Sequence, residues 1–181
     1  MATSKPRRVY WDSCTFLSLM AKIEGRWETC RDIWTEAEGG RTVICTSFFT
    51  WAEVFKYPDE DNGPRPWDEA READIQALLG AKHILPVLVD ERIGKAARRL
   101  ARSHRLRPAD AIHVASAARM SVDEMHTYDG IKKSTGLLSL DQKIFMENGE
   151  RMAIVLPKIL PPPKTKGPTS GTGDLFEPPT S

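Results

Sequence analysis

The chain has 181 residues, 40% of them hydrophobic and 28% charged, with 26 Lys or Arg against 25 Asp or Glu. That composition suits one globular domain with a real core, excludes a fibrous or wholly disordered chain, and leaves little room for a second domain. A net charge of +1 neither demands nor excludes a polyanionic partner, because charge can still segregate locally.

From the N-terminus, short β-branched or aromatic runs alternate with longer stretches of helical periodicity, the pattern of a mostly parallel sheet flanked by helices. Residues 7–11 read as the first strand, followed by helices over 13–21 and 27–38. A strand over 42–45 leads into a helix over 47–57, and the segment YPDEDNGPRP, with three prolines and a glycine, is a loop before a helix over 67–79. A strand over 83–88, helices over 90–103 and 108–120, and strands over 124–127 and 152–156 complete an expected α/β fold. Residues 157–181 concentrate Pro, Gly, Ser and Thr and hold too few large apolar side chains to fold alone. The expected division is therefore a domain over 1–156 and a disordered tail over 157–181, with Leu175 and Phe176 as its apolar docking candidates.

Cys14, Cys30 and Cys45 are widely spaced, form no CxxC pair, and read as free thiols in a reducing compartment. No apolar run reaches the roughly eighteen residues of a membrane span, and the N-terminus enters a strand without a signal-peptide core. The expectation is a cytoplasmic, unanchored protein.

Ligands of open parallel sheets bind at the carboxyl ends of strands, so acidic residues just after strands carry the most information. Asp12 follows the first strand, as a helix cap or as a side chain at the mouth of the sheet. Glu53 stands among Phe48, Phe49, Trp51, Val54 and Phe55, sharing a helical stripe with Thr46, Thr50 and Tyr57. Facing solvent, that stripe needs no chemistry; facing inward, an ionised Glu needs a cation or a proton. Asp110 lies in the first turn of RPADAIHVASAARM, where the helix dipole favours a negative charge. Asp129 ends EMHTYDG, with Asp141 competing for the same role across the insertion GIKKSTGLLSL. Unscreened carboxylates about 4 Å apart repel by roughly 4 kcal/mol per pair at an effective dielectric of about 20, so a converged set calls for a divalent cation. Oxygen ligands suit Mg²⁺ or Mn²⁺ better than zinc.

In this order these residues resemble the PIN-domain superfamily, and in particular the VapC-type toxin ribonucleases. The likeness is carried by VYWDSCTFLSL, TSFFTWAEVFK, RPADAIHVASA and HTYD, the third being the most specific. It implies an α/β/α sandwich with a mostly parallel central sheet of about five strands. It also implies that Asp12, Glu53 and Asp110 ligate metal or position its water, with Asp129 as the fourth acid in a Thr-x-Asp context with Thr127. The stretch after Asp129 is longer than the family's, and the Pro-rich tail departs from the compact toxin pattern. The implied activity is that of a Mg²⁺- or Mn²⁺-dependent endoribonuclease, the toxin of a type II toxin–antitoxin system. The implied partners are RNA, a small antitoxin whose C-terminal segment occludes the acidic pocket, and a second copy in a homodimer.

Such a pocket supports in-line hydrolysis of a phosphodiester, leaving 5′-phosphate and 3′-hydroxyl ends. Asp12 and Asp110 are then the direct ligands, Glu53 and Asp129 ligands or water positioners, and Glu53 the base. Ser13 and Thr127 either contact the scissile phosphate, orient a carboxylate, or serve as ordinary cap and strand residues. The run DERIGKAARRLARSHRLRP carries seven Lys or Arg. Its basic side, with Arg98, Arg99, Arg102 and Arg105, is either a phosphate-binding face or a solvated one. His83, His104, His113 and His126 lack HExxH spacing, and His113 reads as a packed helix residue. No GxSxG, GxxxxGK[ST] or GxGxxG is present. A non-toxin nuclease of RNA or DNA processing, and a catalytically idle nucleic-acid-binding domain, are the competing functions.

Overall fold

Alternation along the first strand sets the architecture. In β1 (Arg7–Trp11), Tyr10 joins the core on one face of the sheet while Val9 and Trp11 join the core on the other, and all three are fully buried. A strand apolar on both faces needs cover on both, so β1 sits in the middle of the sheet. The computed structural model describes residues 5–55, 68–131 and 135–159. Among these, β2 (Thr42–Ser47), β3 (Ile84–Val87), β4 (Glu124–His126) and β5 (Ala153–Val155) join β1 in the order β3-β2-β1-β4-β5. Every neighbouring pair is parallel, with Val9 opposite Ile44 on one side and Glu124 on the other. Pro86 is tolerated in β3 because that strand lies at an edge.

Three helices cover the first face. They are α1 (Ser13–Met20), α2 (Trp27–Glu38) and α4 (Glu69–Leu79), which bury Phe16, Cys30, Ile33, Ile75 and Leu79 against Val9, Trp11 and Ile44. Between β2 and α4 lies the short α3 (Phe49–Glu53). On the second face, α6 (Pro108–Met120) packs Val114 and Ala117 against Tyr10, Cys45, Met125 and Ile154. Its small side chains let it approach closely, and α5 (Glu91–His104) lies on it through Ile93 and Ala97 against Ala111 and Ala115. The result is the expected α/β/α sandwich on a parallel sheet, with α5 added outside. All three cysteines are free, and Cys30 and Cys45 are buried. No helix among the described residues is long and apolar enough to cross a membrane.

Helix starts follow sequence chemistry. Asp12, Asp68 and Asp90 accept backbone N–H groups at the starts of α1, α4 and α5, and Pro108 opens α6. The helix expected over 47–57 is shorter than its apolar run suggests. Ser47 stays in β2, paired with Val87 of β3, and the helix stops at Glu53, where Val54 leaves helical geometry. Tyr57, the loop 57–66, Trp67 and the tail beyond Ile159 fall outside the described residues. A 3₁₀ turn over Leu137–Leu140, not expected from the sequence, tucks Leu137 and Leu140 into the second core.

Candidate active site

Because the strands are parallel, their carboxyl ends share one edge. Asp12 follows β1 there, α3 with Glu53 follows β2, and the stretch from Thr127 to Asp129 follows β4. Helix α6 runs back toward the start of β4, which brings its N-terminal turn and Asp110 to the same edge.

Asp12 is buried and closely held. Its Oδ1 accepts from Thr15 N at 3.0 Å, Thr15 Oγ1 at 2.9 Å and the Cys14 thiol at 2.9 Å, while its Oδ2 accepts from Thr127 Oγ1 at 2.5 Å. The residue is thus both a helix cap and a carboxylate fixed at the edge. Cys14 remains a thiol donor because burial, reinforced by the Asp12 charge, pushes its pKa well up. Thr127 is fully buried and also accepts from Asp129 N at 3.0 Å, so it fixes the Asp12 carboxylate on one side and the backbone of Asp129 on the other.

Glu53 ends α3, and its Oε2 lies 2.5 Å from Nε2 of His113 on α6. Burial opposes ionisation of this carboxyl. Hydrogen bonds from His113 and Ser13 and the nearby Arg107 outweigh it, holding the pKa below the ordinary carboxylate value. Of the stripe considered for Glu53, Thr46 lies in β2 and Thr50 in α3, both fully buried and hydrogen-bonded to each other at 2.7 Å, Glu53 is half-buried, and Tyr57 lies outside the described residues.

Asp110 forms a two-pronged ion pair with Arg107, Nε to Oδ2 at 2.8 Å and Nη2 to Oδ1 at 3.2 Å. Arg107 stands at the N-cap position of α6 without capping it. Its pKa is raised, first by the hydrogen bond to Asp110 and that residue's charge, then by the carboxylates of Asp129 and Glu53. Fully buried Tyr10 has a raised pKa for a complementary reason: burial dominates, and the charges of Asp12 and Glu53 add to it. Glu53 therefore shares one neighbourhood with Asp12 through Tyr10 and another with Asp110 and Asp129 through Arg107.

Residues 137 and 138 return to Asp129. Leu137 N donates to Asp129 Oδ2 at 3.0 Å, and Leu138 N to its main-chain oxygen at 3.2 Å. Asp141 instead accepts from Ile154 N at 2.9 Å and braces β5.

The donor set for a cation is made of carboxylate oxygens, which match a hard ion such as Mg²⁺ or Mn²⁺ in type. Among the described residues, however, no three His, Cys, Asp or Glu side chains are drawn into a ready ligand group. Among the described residues, Arg107 brings positive charge to this edge and occupies both oxygens of Asp110. Ser13 lies at the edge beside Glu53. Arg98, Arg99, Arg102 and Arg105 are exposed along α5 and its C-cap, with Arg105 nearest in sequence to the acidic edge. Arg99 also borders a cavity of about 570 Å³ between α5, the later part of α6 and Ile144–Glu147, so the four do not form one uniform surface.

Three residues at this edge escaped sequence reasoning. Tyr10 reads as a core residue, His113 as a packed helix residue and Arg107 as one of many cations. Only the helical spacing of Arg107, Asp110 and His113, three residues apart in turn, put them on one side of α6 in advance.

A model of the PIN domain matches residues 9–135 of the chain. No curated protein matches it in sequence. Among solved structures, the Mycobacterium tuberculosis VapC20, a sarcin-ricin loop cleaving toxin, aligns with a TM-score of 0.53 at 15% identity, over 67% of this chain and 90% of its own. A chain of a toxin–antitoxin complex from Klebsiella pneumoniae aligns with a TM-score of 0.48 at 16% identity, over 84% of this chain and 99% of its own. At such identities the likeness concerns the fold.

Proposed function

The chain belongs to the PIN domain family, and on that premise we propose that it is a Mg²⁺- or Mn²⁺-dependent endoribonuclease, the cytoplasmic toxin of a type II toxin–antitoxin pair. What supports this reading is the placement of Asp12 after β1, Glu53 on the helix after β2, Asp110 in the first turn of α6 and Asp129 after β4, all at the carboxyl ends of parallel strands, with Arg107 paired to Asp110 there. Four acids from four separate stretches of chain are an arrangement that a divalent cation completes.

In this reading Asp12 and Asp110 hold the metal directly, with Asp129 and Glu53 beside them. When bound, the metal lowers the pKa of water and offsets charge on the phosphate oxygens. Glu53, kept ionised by its partners, accepts the proton of the attacking water. Ser13 orients Glu53, and Thr127 orients Asp12 and Asp129. Arg98, Arg99, Arg102 and Arg105 contact the RNA backbone, which makes binding salt-sensitive.

The test is cleavage of labelled RNA by wild type and Asp110→Asn, with and without Mn²⁺. Wild type is expected to cut only with Mn²⁺, leaving 5′-phosphates, and the folded variant to fall to background. Equal cleavage by both proteins sinks the assignment. One observation favours a second reading, an idle nucleic-acid-binding domain: Arg107 already neutralises Asp110. RNA binding without cleavage in any divalent metal supports that alternative.

Two protein partners complete the proposal. One is an antitoxin whose segment covers the acidic edge. The other is a second copy, meeting this one through the apolar side chains exposed around α3 and the edge strand β3, namely Phe48, Trp51, Leu85, Leu88 and Val89.

A further inference from the structure

A buried imidazole has two polar nitrogens, and each costs free energy if left without a partner. His113, 2% exposed, has side-chain partners on both. Its Nδ1 lies 2.9 Å from the hydroxyl of fully buried Tyr10, and its Nε2 lies 2.5 Å from Glu53 Oε2. The ring is also clamped edge-on by two aromatic rings, Tyr10 with centroids 5.9 Å apart and Phe49 with centroids 5.8 Å apart.

The direction of the hydrogen bonds follows from donor chemistry. An ionised carboxylate only accepts, so the nitrogen facing Glu53 carries a hydrogen. In the neutral ring Nδ1 is then an acceptor and takes the Tyr10 O–H. The chain runs one way: Tyr10 O–H to His113 Nδ1, then His113 Nε2–H to Glu53.

This geometry supplies what α3 lacks. Glu53 is the last residue of a five-residue helix, too short to fix a side chain by its own rigidity. His113 projects from the thirteen-residue α6, one turn beyond Asp110, and Tyr10 from the central strand. One rigid helix therefore carries Asp110 and also holds Glu53.

Resting on the reading of Glu53 as part of the metal pocket, we propose that Tyr10 and His113 are a positioning pair that fixes the Glu53 carboxylate, with Tyr10 selecting the histidine tautomer. Partners behind a metal-binding carboxylate set its orientation and typically change metal affinity about 10–100-fold when removed.

The experiment measures binding of Mn²⁺ alone by calorimetry, in the absence of RNA. His113→Leu is expected to weaken it about tenfold, and His113→Gln, whose amide can still donate to Glu53, to recover part of the loss. Tyr10→Phe is expected to weaken it less, and His113→Leu to add nothing in a Glu53→Gln background. Nitrogen chemical shifts of His113 are expected to report the Nε2–H tautomer in wild type and a mixture in Tyr10→Phe. An Nδ1–H tautomer in wild type overturns the pair, as does unchanged Mn²⁺ affinity in folded His113→Leu alongside a loss in Glu53→Gln. Unchanged affinity in Glu53→Gln itself removes Glu53 from the pocket, and the role of the pair goes with it. If His113→Leu fails to fold, the tautomer and the His113→Gln and Tyr10→Phe affinities decide the matter.

Discussion

Arg7, Glu124 and His126 form a charged group largely withdrawn from solvent across β1 and β4. Arg7 Nη2 lies 2.5 Å and His126 Nε2 3.1 Å from Glu124 Oε2, with Lys158 Nζ 3.1 Å from Oε1. Burial raises the Glu124 pKa, but the hydrogen bonds from His126 and Lys158 and the Arg7 charge overcome it and bring it to about 2. Burial lowers the pKa of His126, against the pull of Glu124. Both groups bind protons more readily when unfolded, so both contribute stability that is lost on acidification. The His126 contribution fades as pH falls below about 6.5, and the Glu124 contribution as it falls from about 4.3 toward 2. Urea midpoints are expected to drop in two stages between pH 7 and pH 3, with Glu124→Gln flattening the lower stage. Identical acid profiles for variant and wild type would refute this account. At the same scale, Asp12, Asp110 and Asp129 were legible as carboxylates after strands or at a helix start, and Glu53 as a carboxylate among large apolar side chains, since each of these has a local signature. Tyr10, His113 and Arg107 were not, because what sets them apart is whom they touch across the chain.

Local periodicity located most elements well: β1, α2 and α6 span the residues their patterns indicate. It failed at α3, where an apolar run continuing past Glu53 looks helical but the strand register with β3 keeps Ser47 extended. It was also silent on the stretch after Asp129, where the amides of Leu137 and Leu138 clamp that residue. Gly136, with φ at +111°, lets that clamp close: a Cβ there would lie 2.8 Å from Gly130 Cα and 3.0 Å from Asp129 Oδ2. Gly136→Ala is expected to cost about 1–3 kcal/mol for the strained backbone alone and to pull Leu137 N–H off Asp129. Urea unfolding checks the first effect, and protection of the Leu137 amide from hydrogen exchange checks the second. A variant as stable and as protected as wild type would show that the loop does not depend on this contact.

For the molecule as a whole, among the described residues, Phe48, Trp51, Leu85, Leu88 and Val89 expose apolar surface around the edge strand β3, Leu88 being 70% exposed, while Phe145, Leu156 and Ile159 are exposed elsewhere. An unpaired edge strand with apolar side chains is a surface that a second chain covers. Leu85→Lys combined with Leu88→Lys is expected to convert the proposed dimer to monomer at micromolar concentration, read by light scattering. A double variant that stays dimeric places the interface elsewhere. The sequence by itself determined the α/β class, the parallel sheet with two covered faces, the order of the elements and the four acids worth following, because each rests on periodicity or on a residue's place beside a strand. Only the tertiary structure decided that Arg107 balances Asp110, that Thr127 braces Asp12, that Asp129 rather than Asp141 borders the acidic edge, and that Tyr10 and His113 stand behind Glu53. Those relations join residues far apart along the chain, and packing against the sheet, which no local pattern encodes, brings them within hydrogen-bonding distance or within reach of one another's charge.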